Sequence, residues 1–96
     1  MHVLLVVDAQ TLQNPVLFEA HLKKEGFNPI IGEDFAYEGE STTPVFHTRA
    51  YIFQVVGKAL EKSPATHCAI MCQLGENPME SYLYNHVTKH FDEIKV

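Results

Sequence analysis

Two apolar runs of strand character, Val3–Val7 and Cys68–Cys72, are each followed by a polar loop and then the dipeptide Asn-Pro, at Asn14-Pro15 and Asn77-Pro78. Asn is a strong N-cap because its side-chain oxygen accepts an orphan backbone N–H. Pro at the first helical position has φ already set and lacks only an N–H that would have no intrahelical partner. The pattern therefore predicts strand, loop and helix twice, and everything between has to fit around those two units.

The rest of the chain fills in accordingly. A first strand over residues 2–8 leads to a helix from Pro15 to about Glu25, with Gly26 as its left-handed C-terminal cap. Residues 30–38 and 43–47 can pair as antiparallel strands through a turn at Gly39–Thr42, with Pro44 tolerated at an edge or a strand start. Thr48 is placed to cap a second helix whose apolar positions Ile52, Val55, Val56, Ala59 and Leu60 follow the helical period up to Ser63-Pro64. Gly57 costs that helix about 1 kcal/mol relative to Ala, which close backbone packing would offset. A last main strand over residues 66–73 precedes a third helix from Pro78 to about Phe91, with a stripe of Met79, Tyr82, Leu83, His86, Val87, His90 and Phe91.

This order predicts a single domain, residues 1–96, of the α+β class: a ferredoxin-like βαββαβ sandwich with an extra C-terminal helix. Val3–Val7 and Ala69–Met71 are apolar at consecutive positions, the pattern of a sheet covered on both faces. The second cover is helix 3, a second copy of the chain, or the outer layer of a compact three-layer α/β fold. A homodimer is the economical expectation, since a chain this short buries a smaller share of its surface than a larger domain.

Charge and cysteine content narrow the function classes. The formal net charge of −5 disfavours broad, non-specific nucleic-acid binding, which relies on a basic surface. The N-terminal apolar run ends at Asp8 without a basic flank or a small-residue cleavage site, so it reads as neither signal peptide nor membrane span, and a cytoplasmic location is expected. Cys68 and Cys72 share a strand face about four rises of 3.3 Å apart, too far for a disulfide, and are expected to be buried, reduced thiols. His67 points to the opposite face from Cys68, which removes a Cys-His nucleophile. The acidic residues Glu33, Asp34, Glu38 and Glu40 suit a solvated hairpin and a protected edge strand.

The segment Leu4-Leu5-Val6-Val7-Asp8, the helix end Lys23-Lys24-Glu25-Gly26-Phe27 and the stretch Phe35-Ala36-Tyr37-Glu38-Gly39 together resemble, in layout over roughly the first 60 residues, the CRISPR-associated Cas2 and VapD ribonuclease families. The resemblance implies a ferredoxin-like dimer, with Asp8 near the dimer axis as the catalytic residue of divalent-metal-dependent RNA cleavage. A carboxylate there suits Mg²⁺, a hard cation, and two-fold symmetry would supply a second. An Asp at the end of a buried strand also commonly accepts backbone hydrogen bonds in the following turn.

Two further constellations carry chemistry. On a third helix His86 and His90 lie four apart on one face and could chelate Zn²⁺, Cu²⁺ or Ni²⁺. A structural zinc site usually takes four ligands, and the same histidines also border a packing stripe. In a three-layer parallel sheet the loops carrying Gln10, Thr11, Gln73, Glu76 and Asn77 would emerge together before two helix N-termini and could bind a small anionic ligand. In a ferredoxin-like sheet strands 1 and 4 are antiparallel, and those loops sit at opposite ends. Two function classes follow: a non-enzymatic, dimeric binding or regulatory module, and a Cas2/VapD-like metal-dependent endoribonuclease using Asp8. Nucleic acid is a partner only under the second.

Overall fold

The computed structural model describes residues 1–94. Among them the chain forms β1 (His2–Gln10), α1 (Pro15–Lys24), β2 (Asn28–Pro29), β3 (Ala36–Glu40), α2 (Val45–Lys62), β4 (His67–Leu74), β5 (Glu80–Asn85) and β6 (His90–Glu93). The strands make one sheet of order β2-β3-β1-β4-β5-β6, antiparallel at every pairing. The class is α+β. The radius of gyration is 12.4 Å, close to the value of about 12.5 Å expected of a compact domain of this length.

The first helix forms as its sequence predicts. Asn14 Oδ1 accepts the Leu17 N–H at 3.0 Å, Pro15 opens the helix, and Gly26 leaves it at φ +100°. Phe18 and Leu22 of α1, with Ile52, Val55, Val56, Ala59 and Leu60 of α2, pack on one face of the sheet. That face consists of Val3, Leu5 and Val7 opposite Leu74, Cys72 and Ile70, with Tyr82 beside Ile70. Burying each such aliphatic side chain is worth about 1.5–3 kcal/mol, so this layer is what holds the helices to the sheet. The helices run antiparallel: Ser63 Oγ at the end of α2 accepts the Asn14 N–H at 2.7 Å, while Tyr51, nearer its start, donates to Glu25 O at 2.9 Å.

Five expectations are corrected. The segment after Pro78 is no helix but the hairpin β5–β6, with Tyr82 and Tyr84 inward and Leu83 outward. Of the residues in the helical stripe, Val87, Met79 and Leu83 are exposed. Residues 43–47 are not a strand: Pro44 takes the N-cap position, α2 begins at Val45, and Asn28–Pro29 pairs with β3 instead. Thr48 consequently lies inside α2, its N–H donated to Pro44 O at 3.0 Å. Gly57 has no close backbone neighbour, since a Cβ there would meet nothing within 4 Å. With both helices on one face and an antiparallel sheet, the three-layer alternative is also excluded.

Candidate functional site

Strand alternation leaves the second sheet face without a cover among the described residues. Leu4, Val6 and Asp8 of β1 point there, and register extends the face sideways: Val6 lies beside Met71 and Met71 beside Ser81, while Asp8 lies beside Ala69, Ala69 beside Leu83 and Leu83 beside Asp92. Ile94 joins through its N–H to Ser81 O at 2.9 Å. Met71, Leu83 and Ile94 are 43%, 40% and 42% exposed, an unusual share for contiguous apolar side chains. Between Met71 and Ile94 is a shallow depression of about 200 Å³, lined among others by Val6, Asp8, Ala69 and Ser81.

β1 runs two residues further than expected, so Asp8 lies inside the strand rather than at its end, exposed at the rim of this depression. Its carboxylate makes no hydrogen bond to another described residue, so the turn-forming role does not apply. The proposed loop site is dispersed. Gln10 pairs with His67 while Val3 pairs with Leu74, so Gln10 and Thr11 lie roughly 20 Å from Gln73, Glu76 and Asn77 at about 3.3 Å per residue. Each set is engaged locally: Gln10 O accepts the Thr66 N–H at 3.0 Å, Gln73 Nε2 donates to Asn77 O at 3.3 Å, and Asn77 Nδ2 donates to Leu74 O at 2.6 Å. Glu76 is exposed.

His86 and His90 lose their shared helical face. His86 sits in the hairpin turn, its ring 5.0 Å from that of Tyr84, and His90 opens β6 opposite Asn85. Among the described residues no group of three or more His, Cys, Asp or Glu side chains is gathered closely enough to hold a metal ion. Both cysteines are free and buried under the helices, as their spacing predicts. Burial, with the Asp8 charge adding, pushes the Cys68 thiol up to about 12. Burial, then Glu80, pushes Cys72 up to about 11, so neither is an activated nucleophile.

Two features escaped sequence reasoning. The first is a cleft of about 380 Å³ between the end of α1, β3 and the start of α2, lined among others by Val3, Phe27, Ser41, Thr48 and Tyr51. Its hydroxyls are mutually bonded, Ser41 Oγ to Thr48 Oγ1 at 2.6 Å and Thr43 Oγ1 to Thr48 Oγ1 at 2.9 Å. The Tyr51 hydroxyl also donates to Glu25 Oε2 at 2.9 Å. Burial, then the Glu25 carboxylate, raises the Tyr51 pKa. The run Ser41-Thr42-Thr43-Pro44 was the available signal, because hydroxyls ahead of a Pro mark a helix start.

The second is a clamp between α2 and β5. Arg49 meets Glu80 in a fork, Nε to Oε1 at 2.6 Å and Nη2 to Oε2 at 3.0 Å, and the Tyr82 hydroxyl donates to the same carboxylate. The Arg49 hydrogen bonds hold the Glu80 carboxyl below its ordinary value against the opposing effect of burial. Burial, then Glu80, raises the Tyr82 phenol. A bidentate pair of this kind fixes orientation as well as adding energy, so it sets the angle of the hairpin on the helix layer.

No helix among the described residues is long and apolar enough to cross a membrane. Comparison with protein-family models, curated proteins and solved structures finds no match to this chain.

Proposed function

We propose that this chain is a small, soluble, ferredoxin-like binding or regulatory module that acts as a homodimer in the cytoplasm, two copies burying the open faces of their sheets against each other. The reading rests on the contiguous apolar surface of Val6, Met71, Leu83 and Ile94, on a face that no helix covers among the described residues. Polar groups ring that surface: Asp8, Asp92, His67 and Glu38 lie on the same face around the apolar centre. An apolar middle with a polar rim is the anatomy of a protein interface. Support for the ferredoxin-like part comes from the order β4-β1-β3-β2 with two helices on one face, beyond which β5 and β6 extend the sheet. The two buried thiols suit a reducing compartment.

Sedimentation velocity tests the assembly. Wild type sediments as a dimer at micromolar concentration, and Met71→Glu sediments as a monomer with unchanged circular dichroism. Wild type that remains monomeric throughout contradicts the reading.

One observation favours the endoribonuclease as a second reading. The Asp8 carboxylate is exposed on the same face and free of local hydrogen bonds among the described residues, so two-fold pairing of that face could bring two of them around a Mg²⁺ ion. Labelled RNA should then be cut only with Mg²⁺ or Mn²⁺ and not by Asp8→Asn. RNA left intact by the wild type under all these conditions removes the enzyme.

A further inference from the structure

We propose that His21 is an acid-sensitive latch between α1 and α2: its neutral imidazole holds the Lys62 ammonium, and protonation releases it. His21 stands in the last turns of α1, only 7% exposed, with Nδ1 3.1 Å from Lys62 Nζ near the end of α2. A lysine ammonium can only donate, so Nδ1 has to be the accepting nitrogen and the ring proton has to sit on Nε2. That Nε2 is buried with no partner among the described residues. A proton added to Nδ1 abolishes the one hydrogen bond the ring makes among the described residues and sets two cations in contact.

The surrounding charge makes this worse. Lys58 and Lys62 bear on the ring from α2, and Lys24 and Glu25 from α1. The one carboxylate in that set, Glu25, already accepts the Tyr51 hydroxyl. Burial first, and Lys62 second, depress the His21 pKa below its ordinary value of 6.5. The unfolded chain therefore binds the proton more readily than the folded one. Stability is full above about pH 6.5 and declines as pH falls from there toward the folded pKa. Four residues beyond His21 the chain reaches Glu25, Gly26 and Phe27, one wall of the cleft described above. Release of the latch thus loosens that wall, and acid is the signal that does it.

The test combines stability with a direct titration. Gln at position 21 can still accept from Lys62 but cannot titrate, so between about pH 7.5 and about pH 5.5 the wild-type Tm falls further than that of His21→Gln. Over the same range the amide protection factors in the last turn of α1, corrected for the intrinsic slowing of exchange in acid, fall in wild type only. The His21 imidazole resonance of the folded protein titrates below the ordinary histidine value, and Lys62→Met moves that titration upward. Equal losses of Tm in wild type and His21→Gln overturn the proposal. A His21 resonance titrating at or above the ordinary value also overturns it. Should His21→Gln fail to fold, the titrations of wild type and Lys62→Met decide alone.

Discussion

The same dipeptide ends in two different structures in this chain. At Asn14-Pro15 the Asn side chain accepts an N–H and a helix begins. At Asn77-Pro78 the Asn side chain donates to Leu74 O, closes a turn at the end of β4, and the chain enters a strand. What differs is the burial available downstream. After Pro15 the residues that find the core are Phe18, His21 and Leu22, at helical spacing. After Pro78 they are Tyr82 and Tyr84, at strand spacing, in a segment that pairs with β4 and whose Glu80 is clamped by Arg49. A capping dipeptide sets where a helix starts only when the following side chains bury on a helical period.

The largest effect is expected at Tyr84, which the helical stripe omits and the hairpin buries. Tyr84→Ala should cost about 3 kcal/mol in denaturant unfolding, as other large aromatic truncations in cores do. Leu83→Ala, a stripe residue that the hairpin turns outward, should change monomer stability by about 0.5 kcal/mol or less. The reverse ranking would restore the helix.

Next comes the clamp. Arg49→Met leaves a largely buried Glu80 carboxylate with one partner fewer and should cost about 2 kcal/mol near neutral pH. Because the folded Glu80 pKa is lowered from 4.5, its contribution is full above about pH 4.5 and disappears as pH falls through the folded value. Unfolding measured across that window should show a steeper acid loss in wild type than in Arg49→Met.

At the dipeptides themselves, Asn14→Ala should lose about 1 kcal/mol together with some helical circular dichroism from fraying of α1. Asn77→Ala should lose stability without any change in helical signal, and a helical loss there would contradict the hairpin. The smallest effect belongs to Gly57, where a Cβ meets open space in α2. Gly57→Ala should raise stability by about 0.5–1 kcal/mol in thermal unfolding.

Much of the first half of the fold was legible because its signals are local. The apolar runs became β1 and β4, the Asn14 cap and the Gly26 exit bound α1, and Ile52, Val55, Val56, Ala59 and Leu60 all reached the core. The hairpin β5–β6 was masked because Tyr82 fits a helical stripe and a strand alternation equally well. The deciding features were the inward Tyr84 and the turn in which Asn85 Oδ1 accepts the N–H of Val87 at 2.9 Å and of Thr88 at 3.2 Å. Asp8 was legible as an acid on an apolar strand, but its exposure on the open face depends on which face the helices cover. The cleft was out of reach for a similar reason. It arises where the end of α1 meets β3, so closely that a Cβ at Gly39 would stand 2.9 Å from Gly26 O, and no local spacing encodes that approach.

Self-association through the open sheet face is tested most directly by isotope-filtered nuclear Overhauser spectra on a mixture of labelled and unlabelled chains. A dimer formed through that face gives intermolecular contacts from the Met71 methyl to Val6, Leu83 or Ile94 of a second copy. Contacts found only at exposed apolar residues elsewhere, such as Val16, Phe46 or Val87, or none at concentrations where the protein is dimeric, would contradict it.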